Sequence, residues 1–364
     1  MARIALNARL LIPNRLEGIG WFTDACYRRI ISSHPEHEFL LLFDRTPAPE
    51  FNYARNAHCQ RIFPPARRPF LYDAWFDYGV TRALKRWKAD VFVSTDGMLS
   101  RRTDVPQLAV MHDLNFMHHP EWMPAREATY YTQRFPEFAL LANRLATVSA
   151  YSKEDIVEQF GVDADRIDVV ANAPAKDYRP RTASEKREAV FTGGQPYFLF
   201  VGSLHPRKNL EGLLRAYAQY REEGGANQLL IVGERMWDDA LGQQAGVHYA
   251  GRLPRTQLAE VMRNAQGLVF VPWFEGFGVP IVEAFASGVP VIASNVTAMP
   301  EVCGGAAAAL VDPGDPGAIA HAMRQLDSDA TLRAEAIKKG LVRARDFSWD
   351  ESAEQLWSAI CKTW

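Results

Sequence analysis

Short, almost uninterrupted apolar runs recur along the chain, separated by longer stretches in which apolar residues return at helical spacing. Arg3 to Ala8, Glu38 to Asp44, Asp90 to Ser94, Leu108 to Met111, Ala146 to Ser149 and Arg166 to Val170 read as strands in the first half. Tyr197 to Val201, Leu229 to Gly233, Val247 to Leu253, Gly267 to Val271, Val291 to Ala293 and Ala308 to Pro313 repeat the pattern in the second. Runs such as Phe39-Leu40-Leu41-Leu42-Phe43 lack the polar alternation of a half-exposed strand and fit parallel strands covered on both faces. Helical patterns lie between them, from Gly18, over Pro124 to Leu141, from Ser152 with that serine as cap, and over Thr256 to Asn264. Strand and helix alternating in both halves predict an α/β protein of two doubly wound sheets. Residues 175 to 195, polar and poor in apolar side chains, read as the linker. The expected domains are 1–178 and 179–348, with a last helix in 349–364.

Composition narrows the function classes. A length of 364 residues suits two domains. A net charge of −2 gives no global attraction to nucleic acid or membrane, so any such contact needs a local patch. Cys26, Cys59, Cys303 and Cys361 form no Cys-x-x-Cys pair or disulfide framework, which makes a reducing cytoplasm the default. The N-terminus enters a short strand rather than a signal peptide's apolar region, and no apolar stretch approaches the ~18 residues of a transmembrane helix.

The candidate chemistry centres on Glu275-Gly-Phe-Gly-Val-Pro-Ile-Val-Glu283. Strand, loop and helix follow one another here, with Pro280 suited to the first helical turn and Gly288 to the C-terminal stop. This leaves Glu275 on a loop and Glu283 in the first turn, with unpaired backbone N–H groups between them. A helix start attracts phosphate, and carboxylates accept hydrogen bonds from sugar hydroxyls. Gly202-Ser-Leu-His-Pro-Arg207-Lys208-Asn209 sets two adjacent cations between a strand and a helix, the makings of a diphosphate clamp. Gly18-Ile-Gly20 opens the first helix, but Thr23 breaks Gly-x-Gly-x-x-Gly, so the dinucleotide fingerprint fails. His112-Asp113 ends a buried strand, where open α/β sheets bind ligands. Asp163-Ala-Asp165 and Asp327-Ser-Asp329 read as turns or caps rather than metal sites, and His118-His119 lack acidic or Cys partners at ligand spacing.

Residues 61–88 interleave Arg61, Arg67, Arg68, Arg82, Lys85, Arg86 and Lys88 with Phe63, Phe70, Tyr72, Trp75, Phe76, Tyr78 and Trp87. One reading is a peripheral patch for anionic lipid or a lipid-linked acceptor. The other, favoured because the charges do not keep to one helical face, is a helix with core aromatics and solvated cations.

The 275–283 string, continued by Ser287-Gly-Val-Pro-Val-Ile-Ala293, resembles the donor-site motif of retaining GT-B glycosyltransferases of family 4. The resemblance covers nearly the whole chain, specific in the second half and loose in the first. It implies two Rossmann-like domains facing a cleft, with the last helix crossing back to the first domain. It assigns Glu275 and the amides of Gly276, Phe277, Gly278 and Val279 to donor sugar and phosphate, Glu283 to ribose, and Gly251, Arg252 and Leu253 to the base. It makes Gly18 and Gly20 a donor-facing loop and adds His112 and Asp113 to Arg207, Lys208 and Glu275 as catalytic residues. Ser203 stands where the family often has Arg, and Asn172-Ala173 where it usually has Asn-Gly.

The reaction so implied is same-face transfer in which the leaving phosphate deprotonates the acceptor, with neither metal nor cofactor. Asp113 is the only candidate in the first half for a covalent route. The donor strings resemble bacterial polysaccharide mannosyltransferases, which favours GDP-mannose and leaves UDP- and dTDP-sugars open. The implied acceptor is a saccharide or lipid-linked saccharide, and the location is the cytoplasm or the inner face of the plasma membrane. Two rivals are a non-catalytic sugar-nucleotide-binding protein and a nicotinamide-dependent oxidoreductase.

Overall fold

The computed structural model describes residues 1–66, 68–234 and 244–364, so Arg67 of the basic–aromatic segment lies outside the described residues. Met1–Asn172 and Trp349–Trp364 form one compact unit, and Ala173–Ser348 forms a second.

The first unit holds β1 (Arg3–Asn7), β2 (Glu38–Phe43), β3 (Ala57–Arg61), β4 (Val91–Ser94), β5 (Gln107–Val110), β6 (Arg144–Thr147) and β7 (Ile167–Val169). They pair in parallel in the order β3-β2-β1-β4-β5-β6-β7. Every residue of β4 and β5 is buried, as a sheet covered on both faces requires. β3, Ala-His-Cys-Gln-Arg, escapes the pattern of apolar runs because it is an edge strand with one buried residue. β6 begins at Arg144 rather than Ala146, and the following helix begins at Ala150, not Ser152. Its cap is Ser149, whose Oγ accepts from the Ser152 amide at 3.0 Å.

Helix Gly18–Ser33 buries Phe22, Cys26, Tyr27, Ile30 and Ile31, a single stripe at helical spacing. Helix Trp349–Cys361 packs against it. Trp357 stacks on His34 at 3.8 Å between ring centres, Arg29 bonds Asp350 at 2.5 Å, and Lys362 reaches Asp168 at 2.7 Å.

The second unit holds β8 (Tyr197–Val201), β9 (Gln228–Val232), β10 (Val247–Gly251), β11 (Gly267–Phe270), β12 (Val291–Ser294) and β13 (Ala309–Val311). All pair in parallel, in the order β10-β9-β8-β11-β12-β13. Each sheet therefore reverses its strand order once, between β1 and β4 and between β8 and β11. At such a point the connections leave in opposite directions and open a crevice at the carboxyl ends of the strands.

Candidate functional site

In the second unit, the loops leaving β8 and β11 flank this reversal and carry the predicted cations and first acid. Lys208 Nζ bonds Glu275 Oε1, and Arg207 Nη1 approaches the same oxygen at 2.9 Å. The Lys208 and Glu275 side chains are 9% and 10% exposed, and Arg207 is 23% exposed, so the carboxylate anchors one deep and one shallow cation. Lys208 also lies 5.1 Å from the centre of the Phe270 ring. Asn209 keeps the two loops in register, its Nδ2 donating to the carbonyls of Val271 and Pro313 at 3.1 and 2.8 Å. The Trp273 amide donates to the Arg207 carbonyl at 2.8 Å. The paired cations thus come already held by a carboxylate, an arrangement that stabilises negative charge with little reorganisation.

Gly278 starts helix Val279–Ala286. Its φ of +87° is unfavourable for an L side chain, and a Cβ would fall 2.8 Å from Met299 Cε. Because the helix starts at Val279, Glu283 is its fifth residue and opens the second turn, a correction to its expected place in the first. Glu275, Gly276, Phe277 and Gly278 are all buried. The Phe277 ring packs edge-on against Phe347 at 5.5 Å, which leaves backbone rather than ring for a ligand.

Burial pushes the Glu283 carboxyl up to about 8, against the opposing pull of a hydrogen bond from Tyr178 and the charge of Arg255. Tyr178 is 6% exposed and belongs with this site, although nothing in a polar linker singled it out. Gly251 and Arg252 are exposed at the end of β10, two strands away from β8, with Arg252 3.7 Å from Glu234. Ser203 is partly buried in the loop after β8, its carbonyl accepting from the His205 amide at 2.8 Å, and Leu253 is likewise partly buried.

The first unit places a second polar group at its own strand reversal. Arg9, just past β1, is 6% exposed and forms a two-pronged ion pair with Asp96, just past β4, at 3.0 and 2.7 Å. Asp96 Oδ1 accepts from Ser94 Oγ and the Met98 amide, fixing the loop that contains Thr95. The Thr95 carbonyl meets His112 Nε2 at 3.0 Å. A carbonyl only accepts, so Nε2 carries the proton and Nδ1 is left as an acceptor. Burial also holds the imidazole below its usual value, keeping it neutral at pH 7. His112 is therefore fitted to accept a hydrogen bond from a hydroxyl.

Asp113 Oδ1 accepts from the amide and side chain of Asn115, at 3.1 and 2.6 Å. Gly20 lies under the preceding loop, where a Cβ would meet the Leu10 carbonyl at 2.9 Å, whereas Gly18 faces open space. Neither half showed the Arg9–Asp96 pair in advance, because 87 residues separate its members.

Asp163 and Asp329 act as caps, and Asp327 accepts from Tyr220 and Asn227. Among the described residues no group of three His, Cys, Asp or Glu side chains could hold a metal ion.

Comparison with known proteins bears on both units. The family model "Glycosyl transferases group 1" matches residues 182–343, and "Glycosyltransferase Family 4" matches 33–173. The O-antigen chain mannosyltransferase B of Escherichia coli is 32% identical, covering 93% of this chain and 94% of its own. Among solved structures, sucrose-phosphate synthase from Thermosynechococcus elongatus aligns with a TM-score of 0.77 at 18% identity, over 98% of both chains. Anabaena HepE in complex with UDP-glucose gives 0.74 at 16% identity, over 99% of this chain and 100% of its own. On this likeness the chain belongs to the group 1, family 4 glycosyltransferases and has their GT-B fold of two Rossmann-like domains.

Proposed function

We propose that this glycosyltransferase moves mannose from GDP-mannose, with retention at the anomeric carbon, to a saccharide or lipid-linked saccharide in cell-surface polysaccharide synthesis. The observation that carries the reading is the convergence of Arg207 and Lys208 on Glu275 beside the start of helix Val279–Ala286. A departing diphosphate develops negative charge, and two cations with adjacent backbone amides are suited to receive it. With the cations supplying that charge, the reaction proceeds without a metal ion. The leaving phosphate takes the acceptor's proton as the new bond forms on the same face of the sugar.

In this reading Glu275 orients the cations and accepts from donor-sugar hydroxyls, while the amides of Gly276 to Val279 meet phosphate. Glu283, protonated at neutral pH, both donates to and accepts from the ribose hydroxyls. Gly251 to Leu253 border the base. Gly18 and Gly20, with the acceptor nitrogen of His112 and with Asp113, contribute sugar contacts from the first unit. The preference for mannose is supported by the name of the E. coli relative, which covers nearly the whole chain.

The test is a thermal-shift screen against GDP-mannose and UDP-, dTDP- and ADP-sugars, followed by product analysis with the donor that stabilises. Selective stabilisation by GDP-mannose is expected from mass action. A shift with UDP-glucose alone would replace mannose, and no shift with any sugar nucleotide would defeat the reading.

A further inference from the structure

Helix Pro69–Ala74, the π-helical turn Trp75–Val80 and helix Thr81–Trp87 run on without interruption in the first unit. Neither sequence reading of this segment holds throughout. Trp75 and Phe76 are core residues at 0% and 1% exposure, but Phe63, Phe70 and Tyr78 are 76%, 70% and 59% exposed.

The cations divide in the same way. Arg101 is tied to Asp77 and Asp73, and Arg134 to Asp73 and Glu137. Arg82, Lys85 and Arg86, spaced to share one helical face, make no ion pair among the described residues. Arg102 joins them, its guanidinium 4.6 Å from the centre of the Tyr78 ring and likewise without a carboxylate partner. These four cations, with Asp77, Tyr78 and Thr81, line an open pocket of about 490 Å³. Asp77 is the one acid in the lining, and it is already committed to Arg101. Phe63 lies against the same segment, its carbonyl 3.1 Å from the place of a Cβ on Gly79.

Four like charges around one pocket repel until an anion enters, and exposed rings leave apolar area in water. An anionic bilayer surface relieves both, offering headgroup phosphates to the cations and an interfacial layer to Phe and Tyr. A soluble polyphosphate would neutralise the cations and leave the rings in water. No helix among the described residues is long and apolar enough to cross a membrane, so such a contact would be reversible.

We infer that this face docks the protein on anionic lipid, with headgroup phosphates entering between Arg82, Lys85, Arg86 and Arg102 and with Phe63 and Tyr78 resting in the interfacial layer. The inference is independent of the donor and of the reaction.

The test is co-sedimentation of the full chain with phosphatidylcholine vesicles that contain or lack phosphatidylglycerol, over a salt series. Binding should require phosphatidylglycerol and weaken with salt. The Arg82→Ala, Lys85→Ala, Arg86→Ala triple variant should bind about a hundredfold more weakly, since each basic residue near such a surface is worth about fivefold. Phe63→Ser with Tyr78→Ser should weaken binding without changing its salt slope. All five side chains are exposed, and unchanged melting temperatures will show that the variants fold. Equal binding to neutral vesicles, or wild-type binding by the triple variant, overturns the inference. So does stabilisation by inorganic diphosphate that the triple variant loses, with no vesicle binding, which would identify a site for a soluble anion on this face rather than at Arg207 and Lys208.

Discussion

Replacing Glu275 with Gln separates the two tasks given to this carboxylate. The change keeps the shape of the side chain and removes the charge that holds Arg207 and Lys208. With Lys208 and Glu275 side chains only 9% and 10% exposed, the loss belongs with broken buried ion pairs, which cost about 3–5 kcal/mol. Arg207 is 23% exposed and recovers some hydration, so about 3 kcal/mol is the working figure. For a unit spanning Ala173–Ser348 this lowers the melting temperature by roughly 6–12 °C. The two cations are then uncompensated, and GDP should stabilise the variant more than it stabilises the parent. The sugar contact falls from a charge-assisted to a neutral hydrogen bond, so the added mannose of GDP-mannose should contribute less than in the parent by about 1 kcal/mol. Melting curves and calorimetric titrations with GDP and GDP-mannose read all three effects. An unchanged melting temperature would refute the electrostatic account of the cation pair. Equal stabilisation of parent and variant by GDP would refute its assignment to phosphate.

Three further outcomes follow from the same geometry. A carboxyl whose folded pKa lies above its unfolded value gains a proton on folding in the window between them. Glu283 therefore favours the folded state at low pH, and this advantage is lost as pH rises from about 4.5 through about 8. The stability difference between the parent and Glu283→Gln should show a slope of up to about 1.4 kcal/mol per pH unit in that window, read by denaturant titration, and a flat difference would count against the shift. Asn209→Ala, which leaves the carbonyls of Val271 and Pro313 without their donor at a φ of +56°, should cost about 2–4 kcal/mol in chemical denaturation. Asp96→Asn, which strips the buried Arg9 of its counter-charge, should cost about 3–5 kcal/mol, and Arg9→Met with Asp96→Leu should cost less than Asp96→Asn alone.

The strands that were legible in the sequence are those covered on both faces, because burial leaves an unbroken apolar run such as Phe39 to Phe43. β3 was hidden for the converse reason, since an edge strand shows mixed polarity. The chemistry of the candidate site was readable where it is local: Arg207-Lys208 and Glu275-Gly-Phe-Gly each lie within one loop. What joins the loops was not, because the bonds from Lys208 and Arg207 to Glu275 span 67 and 68 residues and have no sequence period. Tyr178 was missed for a related reason, its partner Glu283 lying beyond several intervening elements. The tautomer of His112 depends on a backbone carbonyl, an acceptor that every residue carries and no sequence pattern marks.

The return of helix Trp349–Cys361 to the first unit sets the order in which that unit can be finished. Leu356 and Ile360 are fully buried, and Trp349 lies 6.2 Å from Phe22, so the helix covers part of the apolar stripe of Gly18–Ser33. On the ribosome, residues 1–172 emerge first, yet the segment that completes their unit is made only after all of Ala173–Ser348. The second unit, contiguous in sequence, can close while the first still has an open apolar flank. Such a flank on a nascent chain invites chaperones and aggregation. A stop codon just before Trp349 would therefore harm the unit encoded first.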